Sequence, residues 1–318
     1  MAPAAGFGIV AAGAVAVLSQ PLGRHAYRRT PWGAAGKSIA ALQTLTPHLT
    51  AVMLPVAGIA VARRRRRLAA AALAVGVGGA SLTAPLLRRR STAARPGSAG
   101  TRVATVNLLY TNSNTAAIAD DLLGRDIDVI AFTEFTAEHR NVLSGHPLAD
   151  RFVYRIDREG PRAKGVAVWS RIALDVRRPL STVNYSIDVT VIARDATFRL
   201  LAAHTPTPFD GLEGWIDDLD AIRNSASKSG EPTIVIGDLN ATCWHPAIRA
   251  MRNDGFDDAL VAVRRPFTAS WPVGSFVPPF AQLDHALVGR GLHVIDATNF
   301  PVPGSDHRGL IVTVAPVR

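Results

Sequence analysis

Residues 233–240 read TIVIGDLN. Ile234, Val235 and Ile236 form a short β-branched run, which fits a strand buried on both faces better than a helix. The run ends in a carboxylate, Asp238, and an amide, Asn240. Apolar runs of the same kind recur on both sides of it: RVATVNLLY (102–110), DVIAFT (128–133), GVAVWS (165–170), DVTVIA (188–193), FRLLAAH (198–204), LDHALV (283–288) and LIVTVAPV (310–317). Helical periodicity appears at Thr115–Leu123 and over 215–226, where Trp215, Leu219 and Ile222 share one face. Many strands with occasional helices and no internal repeat predict an α/β or α+β sandwich.

Polar residues gather at the ends of these strands. Asn107, Glu134 and His204 end or follow three of them. Asp238 and Asn240 follow a fourth, Asp284 opens a fifth, and Asp306 and His307 precede the last. One such residue is ordinarily a solvated surface group, but strand ends along one edge of a sheet converge in space. The set supplies hard oxygen donors for a divalent cation, an Asp that can orient a His as general base, and amide and imidazole donors for a phosphate.

The remainder of the chain is of another character. The 318 residues carry 35 Lys and Arg against 25 Asp and Glu, a net charge of +10. Such a surplus suggests a nucleic-acid binder. Its position argues otherwise. Fourteen of the basic residues and none of the acidic ones fall in residues 1–102, which leaves a balance of −4 over the rest. The basic part is also the apolar part, with uncharged stretches at 1–23, 38–62 and 68–87. A helix of about 20 apolar residues crosses a bilayer. Buried helices of a soluble domain are the alternative, but five consecutive arginines, Arg63 to Arg67, have no place between two core helices. A cleaved signal peptide fits poorly, because no basic residue precedes Phe7. The expected organisation is a transmembrane anchor over 1–87 with helices near 4–20, 38–62 and 68–87, a linker over 88–101, and a catalytic domain over 102–318. The reading is a multi-pass protein of the cell membrane. The short basic turn at Arg63–Arg67 places that turn in the cytoplasm and the domain after Leu87 outside, although a count of all flanking charges favours the reverse. Gly36-Lys37-Ser38 imitates the end of a phosphate-binding loop, but the earlier glycine position holds Pro31 and no strand precedes it. A single cysteine, Cys243, excludes a disulfide framework and any cysteine-rich metal site.

TVNLLYTN, DVIAFTEF, AAH, IVIGDLNAT, QLDHALV and GSDHRG occur in this order, and together they resemble the endonuclease/exonuclease/phosphatase superfamily over residues 102–318. GDLN together with SDH is the specific pair. The resemblance implies a four-layer αββα sandwich behind an N-terminal bundle of about three transmembrane helices. It implies a hydrolase that uses Mg²⁺ or Mn²⁺. Glu134 matches the metal-binding glutamate, Asn107 the asparagine that supports the metal site, and Asp306 an aspartate beside metal and water. His307 matches the base that activates water, and Asp284 the acid that orients it. Asp238 and Asn240 match the pair that positions nucleophile and phosphate, and His204 a histidine that contacts the phosphate. Val106, Thr133 and Gly309 stand where the family commonly has Trp, Gln and Pro, but none of these exchanges removes a catalytic atom.

Tyr110, Tyr154 and Tyr185 are candidates for a phosphate-side tyrosine by elimination alone. In DREGPRAKG (157–165), Arg162 or Lys164 could reach a phosphate, but the stretch reads as a solvated hairpin tip. His285 faces away from Asp284 on its strand and reads as structural, His245 as the start of a helix, and Cys243 as a small buried residue. TASWPVGSFVPPF (268–280) reads either as a rim loop that sets specificity or as an ordinary packed loop. Three functions compete: a membrane-tethered phosphoesterase acting on a phosphate ester, a non-specific nuclease of the same fold, and a catalytically silent tethered binding domain. The lipid bilayer is the expected partner of the anchor. The charge balance of −4 does not favour nucleic acid.

Overall fold

The computed structural model describes residues 3–23, 25–28, 33–88, 94 and 96–317. Residues 89–93 and 95 of the expected linker lie outside the described residues. The chain divides into two compact units, Met1–Arg88 with Ala241–Arg249, and Arg89–Asn240 with Ala250–Arg318.

In the first unit the longer helices are Pro3–Leu18, Gly33–Thr44, Thr46–Ala62 and Arg66–Leu87. Val10 of the first, Met53, Val56 and Ala60 of the third, and Leu68 and Ala72 of the fourth pack together. Two helical segments, Ala5–Leu22 and Arg66–Leu87, are long and apolar enough to cross a membrane, and a third counts if Ala35–Thr44 and Thr46–Ala62 form one span. The uncharged stretch 38–62 is therefore not the single straight helix expected of it. It bends by 74°. Pro47 lacks the N–H that would bond the carbonyl of Gln43, and the Thr46 hydroxyl takes that carbonyl instead at 2.8 Å. The segment Ala241–Arg249 belongs to this unit. Gln20 donates to the Trp244 carbonyl at 2.6 Å, and Arg249 donates to Gln20 at 2.9 Å. Within the segment, His245 Nδ1 accepts from the Thr242 N–H at 2.7 Å, so its Nε2–H donates to the Ala40 carbonyl at 3.1 Å. His245 precedes the helix Pro246–Asn253, as read from sequence, and is a structural histidine.

Among the described residues, the second unit holds twelve strands: β1 (Thr101–Asn107), β2 (Val129–Thr133), β3 (Tyr154–Arg158), β4 (Val166–Ser170), β5 (Leu174–Val176), β6 (Ser186–Ile192), β7 (Thr197–Ala203), β8 (Thr233–Asp238), β9 (Asp257–Asp258), β10 (Asp284–Val288), β11 (Leu292–Pro301) and β12 (Arg308–Pro316). They form two six-stranded sheets, ordered β11-β12-β1-β2-β4-β3 and β5-β6-β7-β8-β10-β9. Alternate residues point to opposite faces of a strand. Val103, Val129 and Val168 of the first sheet therefore meet Val189, Leu200, Ile234 and Ile236 of the second in one core. Ala104, Val106, Ile130 and Phe132 face the other way, onto Ile118 and Leu122 of the helix Thr115–Leu123 and Leu143 of the helix Ala137–Ser144. The helix Pro208–Lys228 packs against β7 and β8, burying Trp215, Leu219 and Ile222 as their spacing predicts. The result is the four-layer αββα sandwich.

β1 and β2 run parallel, as do β7 and β8. Each pair thus ends at the same edge of its sheet. β12 is antiparallel to β1 and β10 to β8, so their first residues lie at those same edges.

Close packing of β7 and β8 requires Gly237. Its φ is +136°, and an added Cβ would lie 1.9 Å from the Ala203 carbonyl oxygen. A Gly237→Ala variant should therefore lose on the order of 2–4 kcal/mol of stability through forced displacement of the two strands. A thermal unfolding midpoint equal to that of the wild type would contradict this packing.

Candidate active site

The strand ends bring Asn107, Glu134, His204, Asp238, Asn240, Asp284 and His307 together across the two sheets. The Asn107 amide group bridges them. Its Nδ2 donates to Glu134 Oε1 at 3.1 Å and to Asp238 Oδ2 at 3.0 Å. Its Oδ1 accepts from the Leu109 N–H at 2.9 Å, which fixes the orientation. Asn107 thus holds the two carboxylates in place. Glu134 Oε2 also accepts the Tyr110 N–H at 2.9 Å. Glu134 and Asn240 both carry left-handed backbone, with φ of 57° and 46°. Non-glycine residues adopt this conformation at a cost, and functional sites are where such strain collects.

His307 is buried, and its Nδ1 lies 2.8 Å from Asp284 Oδ2. The carboxylate can only accept, so Nδ1 carries the proton and Nε2 is the free position. Nε2 faces Asp238 Oδ2 at 3.7 Å. The Ser305 hydroxyl accepts the His307 N–H at 3.1 Å and donates to the Asn107 carbonyl at 2.8 Å, tying His307 and Asn107 into one frame. Burial alone would depress the imidazole. The carboxylates of Asp284, Asp238 and Asp306 outweigh it and push His307 up to about 10. In metal-free protein these carboxylates favour the imidazolium form of His307. Proton NMR of metal-free protein should show an imidazole titrating far above 6.5 that is missing from His307→Gln. Added Mg²⁺ should lower its pKa by offsetting the negative charge of Asp238. A His307 resonance titrating near 6.5 without metal would refute the sandwiched imidazolium.

His204 is oriented from its other side. Its Nδ1 lies 2.6 Å from the Ala163 carbonyl, so Nδ1 is the donor. Its Nε2 lies 3.4 Å from Asn240 Nδ2 and 3.8 Å from Asp238 Oδ2. Only the imidazolium form could donate to a phosphate from Nε2. Asn240 Nδ2 donates to the Thr205 carbonyl at 2.9 Å, and the Asn240 N–H to Asp238 Oδ1 at 2.9 Å.

At these strand ends, two groups of described side chains bring metal-competent atoms within 4.8 Å of one another: Glu134, His204 and Asp238, and Asp238, Asp284 and His307. Among the described residues, Asp284 Oδ1 and Asp306 Oδ1 are buried with no hydrogen-bond partner, which suits a site that receives a cation or an ordered water. Asp306 is in neither group. Its Oδ2 accepts from the Trp271 indole at 3.2 Å, and its carbonyl accepts the Val273 N–H at 2.7 Å. The loop over 268–280 is thus attached to the aspartate that precedes His307, with Phe276 at its apex fully exposed.

His285 is buried away from this site in an ion pair of 2.6 Å with Asp258, as its strand position predicts. Cys243 is buried. Among the tyrosines, Tyr110 is tied by its backbone to Glu134, and Tyr185 by its N–H to the Lys164 carbonyl at 2.9 Å.

A family model described as "Endonuclease/Exonuclease/phosphatase family" matches residues 104–307, more than half of the chain. The chain belongs to this family. Every strand-end residue described above lies within the matched range. Solved structures share its fold at low identity. A humanized TDP2 from D. rerio is 12% identical with a TM-score of 0.58, over 68% of this chain and 99% of that one. An endonuclease/exonuclease/phosphatase from Beutenbergia cavernae is 17% identical with a TM-score of 0.54, over 68% of this chain and 71% of its own. An AP endonuclease from Archaeoglobus fulgidus is 15% identical with a TM-score of 0.55, over 67% and 98%. No curated protein matches the sequence.

Proposed function

We propose that this chain is a membrane-anchored, divalent-metal-dependent phosphoesterase that hydrolyses a phosphodiester or phosphomonoester by attack of activated water. The observation that carries the reading is the imidazole of His307 held between Asp284 at 2.8 Å and Asp238 at 3.7 Å, beside the carboxylate of Glu134. Asp284 fixes the tautomer, and His307 in its neutral form takes at Nε2 a proton from water as the oxygen attacks phosphorus and the ester P–O bond breaks, the leaving oxygen being protonated from solvent to depart as the alcohol. Asp238 and Asn240 position nucleophile and phosphate, and His204 supports the phosphate. Glu134 and Asp238 would hold the cation, with Asn107 bracing both carboxylates and Asp306 adjoining. Mg²⁺ or Mn²⁺ would supply charge for the phosphoryl oxygens as they become more negative.

The N-terminal helices anchor the enzyme in the bilayer, and the basic turn at Arg63–Arg67 supports a catalytic unit on the extracytoplasmic side. A reporter fused after Arg318 tests that side. Nuclease activity is the second reading. It is favoured by relatives such as the AP endonuclease and a D. rerio TDP2 complexed with single strand DNA product. It is disfavoured by the charge balance of −4 over residues 103–318.

The test is full-length protein in detergent with Mg²⁺ or EDTA. It is assayed on bis(p-nitrophenyl) phosphate, p-nitrophenyl phosphate, single- and double-stranded DNA, and phospholipid vesicles. Metal-dependent hydrolysis of at least one substrate is expected. Its absence on all would support the silent binding domain instead.

A further inference from the structure

The chain over 157–165, which reads from sequence as a solvated tip, is fastened to the catalytic centre along its length. The Gly160 N–H donates to the Phe135 carbonyl at 3.1 Å, and the Phe135 N–H donates to the Gly165 carbonyl at 3.0 Å, directly after Glu134. A Cβ on Gly165 would lie 1.8 Å from the Phe135 oxygen, so the approach tolerates no side chain. On the opposite side, Ala163 accepts His204 Nδ1 at 2.6 Å, and Lys164 accepts the Tyr185 N–H at 2.9 Å. The loop therefore spans from the metal-side glutamate to the phosphate-side histidine.

Two cations flank the residue that holds His204, namely Arg162 and Lys164. Both are exposed, and no carboxylate among the described residues pairs with either. Their neighbours differ. Arg140 pairs with Glu159 at 3.0 Å, and Arg158 donates to the Ser186 carbonyl at 2.8 Å. Arg162 instead lies over the ring of Tyr110, 5.9 Å from its centroid, and the Tyr110 backbone N–H binds Glu134. Its φ of 53° is left-handed, which a long side chain adopts at a cost. A guanidinium resting on an aromatic face keeps its edge N–H groups available to an anion.

We infer that Arg162 and Lys164 form a second anion subsite beside the hydrolytic centre, and that the preferred substrate carries a second phosphate next to the scissile one. The inference rests on the hydrolytic reading of the same centre. A single cation there would serve any anion. Two unpaired cations one residue apart from the His204 anchor select a substrate with two separated negative groups. Such a substrate is a small bisphosphate or a phosphorylated lipid headgroup. In a unit with a negative charge balance, long nucleic acid is the less suitable ligand.

The variant for the test is R162G/K164A. Glycine accepts the left-handed backbone, so the loop keeps its course while both charges are lost. The first measurement is kcat/KM of full-length protein with Mg²⁺ on matched pairs. One pair is the 5′-p-nitrophenyl ester of thymidine monophosphate with and without a 3′-phosphate, and the other is glycerophosphoinositol with and without a 4-phosphate. The wild type should prefer the doubly phosphorylated member of at least one pair by about tenfold or more, as one charge-assisted contact gives. The variant should lose that preference, chiefly through KM. The pair that responds separates a nucleotide from a headgroup substrate. The second measurement is calorimetric binding of orthophosphate and propane-1,3-diol bisphosphate to the same proteins. Tighter bisphosphate binding that is lost in the variant upholds the subsite even if no ester is hydrolysed, in which case the hydrolytic reading alone fails. Equal binding of both probes by the wild type, or a preference that survives in R162G/K164A, overturns the subsite. DNA cleavage unaccompanied by any bisphosphate preference would do the same.

Discussion

His307→Gln should reduce kcat by about 10³-fold, within the 10²–10⁴ range of a lost general base. The substitution is chosen for what it preserves. Glutamine can still donate an N–H towards Asp284, which is fully buried and 2.8 Å from His307 Nδ1. Alanine would leave that buried carboxylate uncompensated and mix unfolding with loss of chemistry. A His307→Gln enzyme within tenfold of the wild type, with native circular dichroism, would exclude His307 as the base. A stability measurement accompanies it. The folded-state pKa of His307 is pushed up to about 10 from an ordinary 6.5. Its contribution to stability is therefore fully present below pH 6.5 and disappears as pH rises through about 10. In EDTA, the difference in unfolding free energy between wild type and His307→Gln should be larger at pH 6 than above pH 10. A difference independent of pH would mean that His307 is not stabilised as an imidazolium.

Much of this site is legible in the sequence because chemistry and burial coincide there. The strand Thr233–Asp238 has the limits read from TIVIGD, since a short, β-branched apolar run suits a strand covered on both faces. Asp238, Asn240, Asp284 and His307 stand at the ends of such runs, and the parallel and antiparallel pairings carry those ends to one edge. The strands that the sequence conceals have other reasons to exist. Tyr154–Arg158 is an edge strand, YRIDR, with charge on it and no continuous apolar face. Leu292–Pro301 contains a register shift between Val294 and Asp296 that breaks its alternation and leaves Ile295 exposed. The bend before Thr46 lies beside Pro47, whereas Pro55 in the same stretch sits inside a helix, so a proline alone does not announce it. The attachment of residues 160–165 to the site is the hardest to read. The carbonyls of Phe135, Ala163 and Lys164 make it, and a backbone carbonyl is the same for every residue type. The two glycines at its ends, Gly160 and Gly165, are its only trace in the sequence.

Asp238→Asn should be the most damaging isosteric change in the molecule, because three functions meet at one carboxylate. Oδ2 accepts from Asn107 Nδ2 at 3.0 Å and faces His307 Nε2 at 3.7 Å and His204 Nε2 at 3.8 Å. Oδ1 accepts the Asn240 N–H at 2.9 Å. An amide retains one acceptor only. If its oxygen keeps the Asn240 N–H, its NH₂ confronts the NH₂ of Asn107, and the brace between Glu134 and the second sheet is lost. If it turns over, Asn240 is released from the phosphate position. Either arrangement removes a negative charge from the cation site. Hydrolysis should fall by 10³-fold or more, and Mg²⁺ affinity by about 10–100-fold, as expected when a metal ligand or its support is removed. The effect should also be visible without turnover. Asp238 is one of the carboxylates that raise His307, so the His307 resonance in metal-free Asp238→Asn should titrate lower than in the wild type. His307→Gln, by contrast, should leave Mg²⁺ affinity nearly intact while abolishing hydrolysis. The two variants thus separate the cation site from the base. An Asp238→Asn protein with wild-type Mg²⁺ affinity and an unshifted His307 would show that Asp238 belongs to neither.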